Sequence, residues 1–172
     1  MNRAILRGLL AAALVLVLVV AMLAVRGYER TLAEGRVVLF ELAPVDPRSL
    51  MQGDFMALDF AVNREMASAW EAIGEERKQP PYMLVELDRE GRASFAGFAA
   101  ELPAAEDPRL ALKLHMEHGA PGIGPNAFFF QEGTADRYAT AAWGTFRVAD
   151  DGTALLISLR DADLETLGEV RR

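Results

Sequence analysis

The hydrophobic pattern of this chain begins with one uninterrupted apolar segment. Residues 9–25 read LLAAALVLVLVVAMLAV, seventeen residues without a charge, with Arg3 and Arg7 before them and Arg26 directly after. Such a segment makes about 25 Å of α-helix, close to the roughly 30 Å of a bilayer core. It predicts one transmembrane helix at about residues 6–25. Ala21 and Ala24 are set among large side chains and form no clear cleavage site, so we expect an anchor that is retained.

Beyond the anchor, the apolar positions follow patterns typical of strands. Residues 28–35 (YERTLAEG) are polar and helix-compatible, which predicts a short stalk ending at Gly35. Residues 37–47 start with a β-branched apolar run and end in a Pro-Val-Asp-Pro turn, typical of a first strand and its exit. In residues 55–63 every second side chain is large and apolar, which predicts a second strand with one core face. That face comprises Met56, Leu58, Phe60 and Val62.

Turn residues divide the rest of the chain. Glycine after Arg89-Glu90 and after Asp150-Asp151 predicts two β-hairpins, and Pro80-Pro81 ends a helical stretch. The predicted elements are a helix or ordered crossover at 65–78, a hairpin of 82–88 with 92–99, a strand at 110–117, a loop at 118–125, a strand at 126–131, a helix at 134–142, and a hairpin of 143–148 with 154–160.

These elements predict a mainly β fold with short helices. We expect six to seven strands arranged as a compact barrel or a sandwich, in one domain over residues 36–172. An anchor over residues 1–27 and the stalk over residues 28–35 precede it.

The charge distribution separates the anchor from the domain. Arg3 and Arg7 precede the apolar segment, whereas all 25 acidic residues follow it, so the later part carries a formal charge of −9. An acidic domain without a basic stripe disfavours nucleic acid as a partner. The basic N-terminus favours a cytoplasmic start, so we expect a single-pass protein of the inner membrane with an extracytoplasmic domain. The chain has no cysteine, which removes disulfides and thiolate chemistry.

Residues 53–60 read GDFMALDF and resemble the motif after which the GDYXXLXY family is named, with Phe55 and Phe60 in place of its two tyrosines. Residues 44–50 (PVDPRSL) and 129–133 (FFQEG) also resemble that family's pattern, and the similarity extends roughly over residues 36–160. The positions that carry the resemblance are Asp46, Pro47, Arg48, Gly53, Asp54, Phe55, Leu58, Phe60, Glu132 and Gly133.

The resemblance implies a membrane-anchored bacterial protein of undetermined function. Family members look like companions of multi-pass membrane proteins, which implies an integral membrane protein as partner. Phe55 and Phe60 lack the hydroxyl of the family's tyrosines, so neither can donate a hydrogen bond, whereas a packing role survives the change.

Ser49, Gly53 and Asp54 allow two interpretations. In the first, Gly53 takes a positive φ and Asp54 accepts backbone N–H groups, which makes a simple turn. In the second, Ser49 is the nucleophile of a membrane-associated hydrolase similar in plan to type I signal peptidases, with Lys113 as its base. A lysine can activate serine only if burial lowers its pKa, and Lys113 lies on the polar face of its predicted strand. We therefore favour the turn.

The two histidines lie beside one carboxylate, in the sequence His115, Met116, Glu117, His118. Imidazole and carboxylate groups can bind zinc, but successive strand residues point to opposite faces, so His118 diverges from the other two. We expect a solvent-facing polar edge and no metal or other cofactor.

Two further groups of side chains allow structural roles. Phe128, Phe129 and Phe130 are typical of a buried strand, although such a run can also turn an aromatic face to a partner or lipid. Arg48 is expected to pair with one of the aspartates near the first turn.

The sequence therefore predicts a membrane-tethered β domain that binds or supports another membrane or envelope protein, without catalysis. The alternatives are the Ser49 hydrolase and a barrel that holds a small hydrophobic ligand.

Overall fold

The computed structural model describes residues 3–43, 55–73, 80–104, 106–117 and 120–169. Within these ranges the chain forms two α-helices, one 3₁₀ turn and eleven strands. The helices are α1 (Arg3–Glu34) and α2 (Ala61–Ile73), and the 3₁₀ turn is Ala135–Tyr138. The strands are β1 (Arg36–Glu41), β2 (Phe55–Ala57), β3 (Tyr82–Leu87), β4 (Ala93–Ala99), β5 (Leu110–Lys113), β6 (His115–Glu117), β7 (Ala120–Gly122), β8 (Ala127–Phe129), β9 (Trp143–Val148), β10 (Ala154–Arg160) and β11 (Thr166–Glu169).

The helix α1 contains the whole apolar segment and continues beyond it through the predicted stalk. The large apolar side chains between Leu9 and Val25 are exposed, so the rest of the chain does not cover them. The stretch Arg7–Glu34 is long and apolar enough to cross a membrane. The expected continuation of the helix up to Gly35 is confirmed, because α1 ends at Glu34 and β1 begins at Arg36.

The largest sheet is antiparallel and has the strand order β1-β9-β10-β11. Its register sets Val38 opposite Phe146 and Phe40 opposite Gly144. A Cβ at Gly144 would lie 2.9 Å from the Phe60 ring, so the absence of a side chain there lets that ring approach the sheet. The predicted hairpin of β9 with β10 is confirmed.

A second sheet has the order β4-β3-β5, and two small antiparallel pairs, β2 with β8 and β6 with β7, complete the described strands. Apolar residues of both larger sheets, of β2 and of α2 bury into one hydrophobic core. The fully buried members with the largest side chains are Phe40, Phe60, Phe128, Phe146, Met66, Met83, Leu112 and Leu159. Burying such side chains is the main favourable contribution to folding.

The predicted mainly β class with short helices and an N-terminal apolar helix is therefore confirmed. The described strands form open sheets and no closed barrel, and the two larger sheets share one core, as in a sandwich. The structure has eleven described strands, whereas six to seven were expected. Several of the eleven have only three or four residues, too few to show a clear pattern in the sequence.

The predicted second strand at residues 55–63 is wrong beyond Ala57. The oxygen Oδ1 of Asp59 accepts hydrogen bonds from the Phe60 backbone N at 2.8 Å and from Asn63 Nδ2 at 3.0 Å, and α2 begins at Ala61. A carboxylate in this position stabilises a helix N-terminus. The predicted core face is nevertheless correct, since Met56, Leu58, Phe60 and Val62 are all buried.

Three further boundaries differ from the prediction. The strand expected at 110–117 divides into β5 and β6 at Leu114, because β5 pairs with β3 whereas β6 pairs with β7. The loop expected at 118–125 contains β7, and the helix expected at 134–142 is a single 3₁₀ turn. The strand β11 was not predicted, because its sequence (TLGE) has no strand pattern.

Candidate functional surface

Several residues singled out in the sequence lie outside the described residues. These are Asp46, Pro47, Arg48, Ser49, Gly53, Asp54 and His118. The turn, the serine nucleophile and the Arg48 ion pair therefore stay predictions.

The second half of the motif contributes to the core. Phe60 is 1% exposed and its ring makes edge contacts with Phe40 and Phe146, at centroid distances of 6.4 and 5.3 Å. Leu58 is also buried, and its backbone N donates to the Asn126 carbonyl at 2.7 Å. The Phe60 ring thus packs in an apolar environment, and this packing role does not require the hydroxyl of a tyrosine.

The first half of the motif contributes to the surface. Phe55 and Phe129 lie opposite each other in the pairing of β2 with β8, and their ring centroids are 5.9 Å apart. Phe55 is 38% exposed and Phe129 is 71% exposed. The adjacent residues Phe128 and Phe130 point inward and are buried. The run of three phenylalanines therefore has two buried side chains and one exposed side chain, because a strand alternates its faces.

A cleft of about 450 Å³ adjoins this aromatic pair. Its lining includes Phe129 and Phe130, Tyr138 of the 3₁₀ turn, and Gly168 of β11. Arg137 also lines the cleft; it is exposed, and no described side chain bonds to its guanidinium. The combination offers an apolar surface with one available cation at its edge.

The residues Glu132 and Gly133 form the turn that follows β8. Gly133 has φ +78°, a left-handed conformation that glycine adopts without strain. Thr134 closes the turn, because its hydroxyl donates to the Gln131 carbonyl at 2.6 Å. Glu132 is exposed in this turn, which follows the strand that carries Phe129.

Lys113 lies at the end of β5 in an ion pair. Its Nζ lies 2.5 Å from Asp151 Oδ2 and 3.0 Å from Thr153 Oγ1, and its side chain is 39% exposed. The hydrogen bond from Lys113, together with the hydrogen bonds from Thr153, lowers the pKa of Asp151. A lysine that is part-exposed and paired with a carboxylate is unlike the buried lysine that a serine–lysine dyad requires.

His115 is exposed in β6, and the backbone of Glu117 belongs to the same strand. Among the described residues, no three His, Asp or Glu side chains lie close enough to hold a metal ion.

A tight joint connects the helix α1 to the domain. A Cβ at Gly35 would lie 2.4 Å from the Thr31 carbonyl oxygen and 3.2 Å from the backbone of Val148, so only glycine fits there. Arg147 Nη1 donates to the Gly35 carbonyl at 2.8 Å, and Thr31 is only 6% exposed. The helix therefore enters the sheet without a linker.

A second cleft, of about 580 Å³, lies where α1 meets the β9–β10 turn. The helix lines one wall and the turn lines the other. Its residues include Ala24, Gly27, Tyr28, Arg30, Asp150 and Asp151. The cleft is open at the surface and lies at the end of the apolar part of the helix.

The most strongly perturbed described carboxylate lies away from both clefts. Arg109 donates from Nε and Nη2 to the two carboxylate oxygens of Asp107, at 3.0 and 2.7 Å. These hydrogen bonds, with a third from the Arg109 backbone N, lower the pKa of Asp107 to about 2. This pair ties together the segment before β5 and makes no contact that suggests chemistry.

The comparisons with known proteins decide the family. The model of the GDYXXLXY protein family matches residues 16–159, most of the chain. This chain belongs to the GDYXXLXY family. Neither a curated protein nor a solved structure matches it significantly.

Three features of this GDYXXLXY protein do not follow from its sequence: the pairing of Phe55 with Phe129, the position of Arg137 and the position of Asp150. The pairing depends on the register of two short strands that are distant in sequence. Arg137 and Asp150 each line a cleft that only the folded chain forms. The alternation within residues 126–131 was the one available signal, since it places Phe129 opposite in direction to its neighbours.

Proposed function

We propose that this chain is a single-pass protein of the inner membrane whose extracytoplasmic β domain binds an integral membrane protein and performs no catalysis. The observation that carries the proposal is the exposed aromatic pair Phe55–Phe129. Phe55 lies on β2, the strand that begins within the family motif, and Phe129 lies on the paired strand β8. Exposed aromatic side chains that lie together are typical of protein interfaces.

The class of partner follows from the joint at Gly35. Because α1 enters β1 without a linker, an anchored domain stays beside the bilayer surface and meets proteins of the same membrane. The cleft beside Phe129 supplies a recess for a partner side chain, and Arg137 supplies a charge for a carboxylate.

Photo-crosslinking in native membranes tests the partner. A photoreactive phenylalanine analogue at position 129 should form an adduct with an integral membrane protein, whereas the same analogue at the exposed Leu102 should not. Phe129→Ala should weaken co-purification of that protein in mild detergent at least tenfold, because buried aromatic side chains dominate interface energies. The absence of an adduct at 129, or the same adduct at 102, would refute the proposal.

Two measurements test the anchor and its orientation. Resistance to carbonate extraction, together with an intact mass of 18.8 kDa, should identify a retained anchor rather than a cleaved signal. Because the chain has no cysteine, Glu132→Cys introduces a single label site in the domain. A membrane-impermeant maleimide should label it in intact spheroplasts; labelling only after lysis would place the domain in the cytoplasm.

A further inference from the structure

The cleft beside Phe129 contains a buried hydroxyl group without a hydrogen-bond partner. Tyr138 lines this cleft and is 7% exposed, and its ring packs against those of Phe128 and Phe130, at centroid distances of 5.2 and 5.1 Å. Its phenol oxygen lies beside Gly168, where an added Cβ would collide with it. No described residue forms a hydrogen bond with this oxygen. Buried tyrosine hydroxyls usually have a protein partner, so in the free chain this one depends on water from the cleft.

The charge in the cleft lining is positive. Among the described residues that line it, Arg137 is the only charged one. The carboxylates nearest to Arg137 in sequence, Glu132 and Asp136, are exposed and do not line the cleft. No described carboxylate forms an ion pair with the guanidinium of Arg137. The cleft thus offers a cation without a counter-ion, in a part of the chain whose formal charge is −9.

These two groups select an anionic acceptor. A guanidinium only donates hydrogen bonds, and a carboxylate accepts two of them side by side while it leaves lone pairs for a phenol O–H. A phosphate dianion would bring twice the charge into an acidic domain that offers it one cation. The rings of Phe129 and Phe130 suit the carbon atoms next to a carboxylate. The lining therefore fits a carboxylate that is attached to an apolar group.

The open side of the cleft indicates where this carboxylate comes from. Phe129 is 71% exposed, and Gln131 and Thr166, which also line the cleft, are exposed as well. Sites for small molecules usually enclose roughly 70–90% of the ligand surface. A cleft with exposed walls does not do so, whereas a protein partner covers the open side with its own surface.

We propose that a carboxylate of the membrane-protein partner, from an acidic side chain or from its C-terminus, enters this cleft and accepts hydrogen bonds from Tyr138 and Arg137. The apolar atoms beside that carboxylate pack on Phe129 and Phe130. The inference rests on the proposed function for its partner and adds the chemical group that the domain recognises. A partner without an acid at this position leaves the hydroxyl and the cation unsatisfied, which gives the contact its specificity.

Two variants with matched controls test the two donors. Arg137→Gln should reduce the amount of partner that co-purifies in mild detergent about tenfold, and Tyr138→Phe should reduce it about fivefold, because each removes one hydrogen bond to a carboxylate. Arg89→Gln and Tyr82→Phe remove the same groups at positions that do not line the cleft, so they should have no effect. The photo-adduct at position 129 should decrease in the first two variants and persist in both controls.

A small probe tests the cleft without the partner. The full chain in detergent micelles is labelled with 3-fluorotyrosine at its three tyrosines, and the fluorine resonance of Tyr138 is assigned by its loss in Tyr138→Phe. The probe 3-phenylpropionate should shift this resonance saturably, and the neutral 3-phenylpropionamide should bind about tenfold more weakly. Arg137→Gln should abolish this difference between acid and amide. An excess of the acid should also reduce the photo-adduct at position 129.

The melting temperature separates recognition from a structural role of Tyr138. Because its hydroxyl bonds to no described residue, Tyr138→Phe should melt at or above the temperature of the wild-type chain by circular dichroism. A clear fall in the melting temperature would mean that the hydroxyl already has a partner within the fold, which would overturn the inference.

Other results would overturn the inference in different ways. Equal binding of the acid and the amide would show that the cleft recognises only apolar surface. Probe binding without any adduct at position 129 would assign the cleft to a free organic acid, and an adduct with a second copy of this chain would assign it to self-association. A missing adduct in the wild-type chain refutes the proposed function, whereas an adduct and a co-purified partner that are unchanged in Arg137→Gln and Tyr138→Phe refute only this inference.

Discussion

The two aromatic positions of the family motif lie only five residues apart and face opposite environments. Phe60 lies among Phe40, Phe146 and the bare backbone of Gly144, where no water reaches it. Phe55 lies on a two-stranded sheet and shares its solvent face with Phe129. The same residue type is thus buried at one position and exposed at the other.

The difference arises where β2 ends. Strand alternation puts Phe55 on the outer face and Met56 on the inner face, and the chain then turns at Asp59 to begin α2. This turn carries Phe60 into the core although the strand has already ended. A short motif can therefore combine a buried aromatic residue with an exposed one.

Truncation of each aromatic side chain gives the largest expected contrast. Phe60→Ala should lower the free energy of unfolding by about 3–5 kcal/mol, because it leaves a cavity in the packed core. Phe55→Ala should lower it by about 1 kcal/mol or less, since it removes one exposed aromatic contact. Urea titration of the full chain in detergent micelles, followed by tryptophan fluorescence, measures both. Equal losses would abolish the contrast.

Restoring the family's tyrosines sharpens the comparison. Phe60→Tyr places a hydroxyl in an apolar environment, so the free energy of unfolding should fall by about 1–3 kcal/mol. Phe55→Tyr leaves the hydroxyl in water and should change it by less than about 0.5 kcal/mol. The same urea titration applies. A stable Phe60→Tyr variant would mean that the core holds a hydrogen-bond acceptor for that hydroxyl.

The turn after β8 provides a smaller test of the surface side. Gly133→Ala forces a side chain into the left-handed region at φ +78° and should lower the free energy of unfolding by about 1 kcal/mol. Gly8→Ala, in the exposed part of α1, is the matched control and should cost nothing, because a Cβ there meets no atom within 4 Å. If Gly133→Ala were as stable as the control, the turn would not hold the strand of Phe129.

Acid should produce the smallest effect, at a site remote from both motif aromatics. The pKa of Asp107 is about 2 in the folded chain and 3.8 ordinarily, so its pairing with Arg109 stabilises the fold above pH 3.8. This contribution is lost as the pH falls from 3.8 towards 2. Melting temperatures over that range should fall less steeply in Asp107→Asn than in the wild-type chain. Identical slopes would show that the pair does not contribute to folding.

The regular parts of the fold were predictable because they depend on local patterns. The apolar segment of α1 is too long for a soluble helix face, and the glycines at 91 and 152 identify both hairpins by their turn chemistry. The inward face of residues 56–62 was also predictable from alternation. In each case the signal lies within one short window of sequence.

The remaining features depend on tertiary structure. The start of α2 escaped prediction because alternation from Met56 to Val62 concealed the helical spacing of Val62 and Met66. The strand β11 exists only because β10 offers it an edge. The candidate surface and the cleft at α1 require contacts between segments far apart in sequence, which no local pattern records.

The joint at Gly35 has a mechanical consequence for the proposed membrane anchor. Since the helix and the sheet share backbone contacts there, a tilt of α1 is passed directly to the domain. Transmembrane helices tilt by about 20° on average, and such a tilt displaces a point about 25 Å along the helix axis by roughly 9 Å. For an anchored domain, a change in bilayer thickness would therefore also change the position of the exposed pair Phe55–Phe129 relative to the membrane surface.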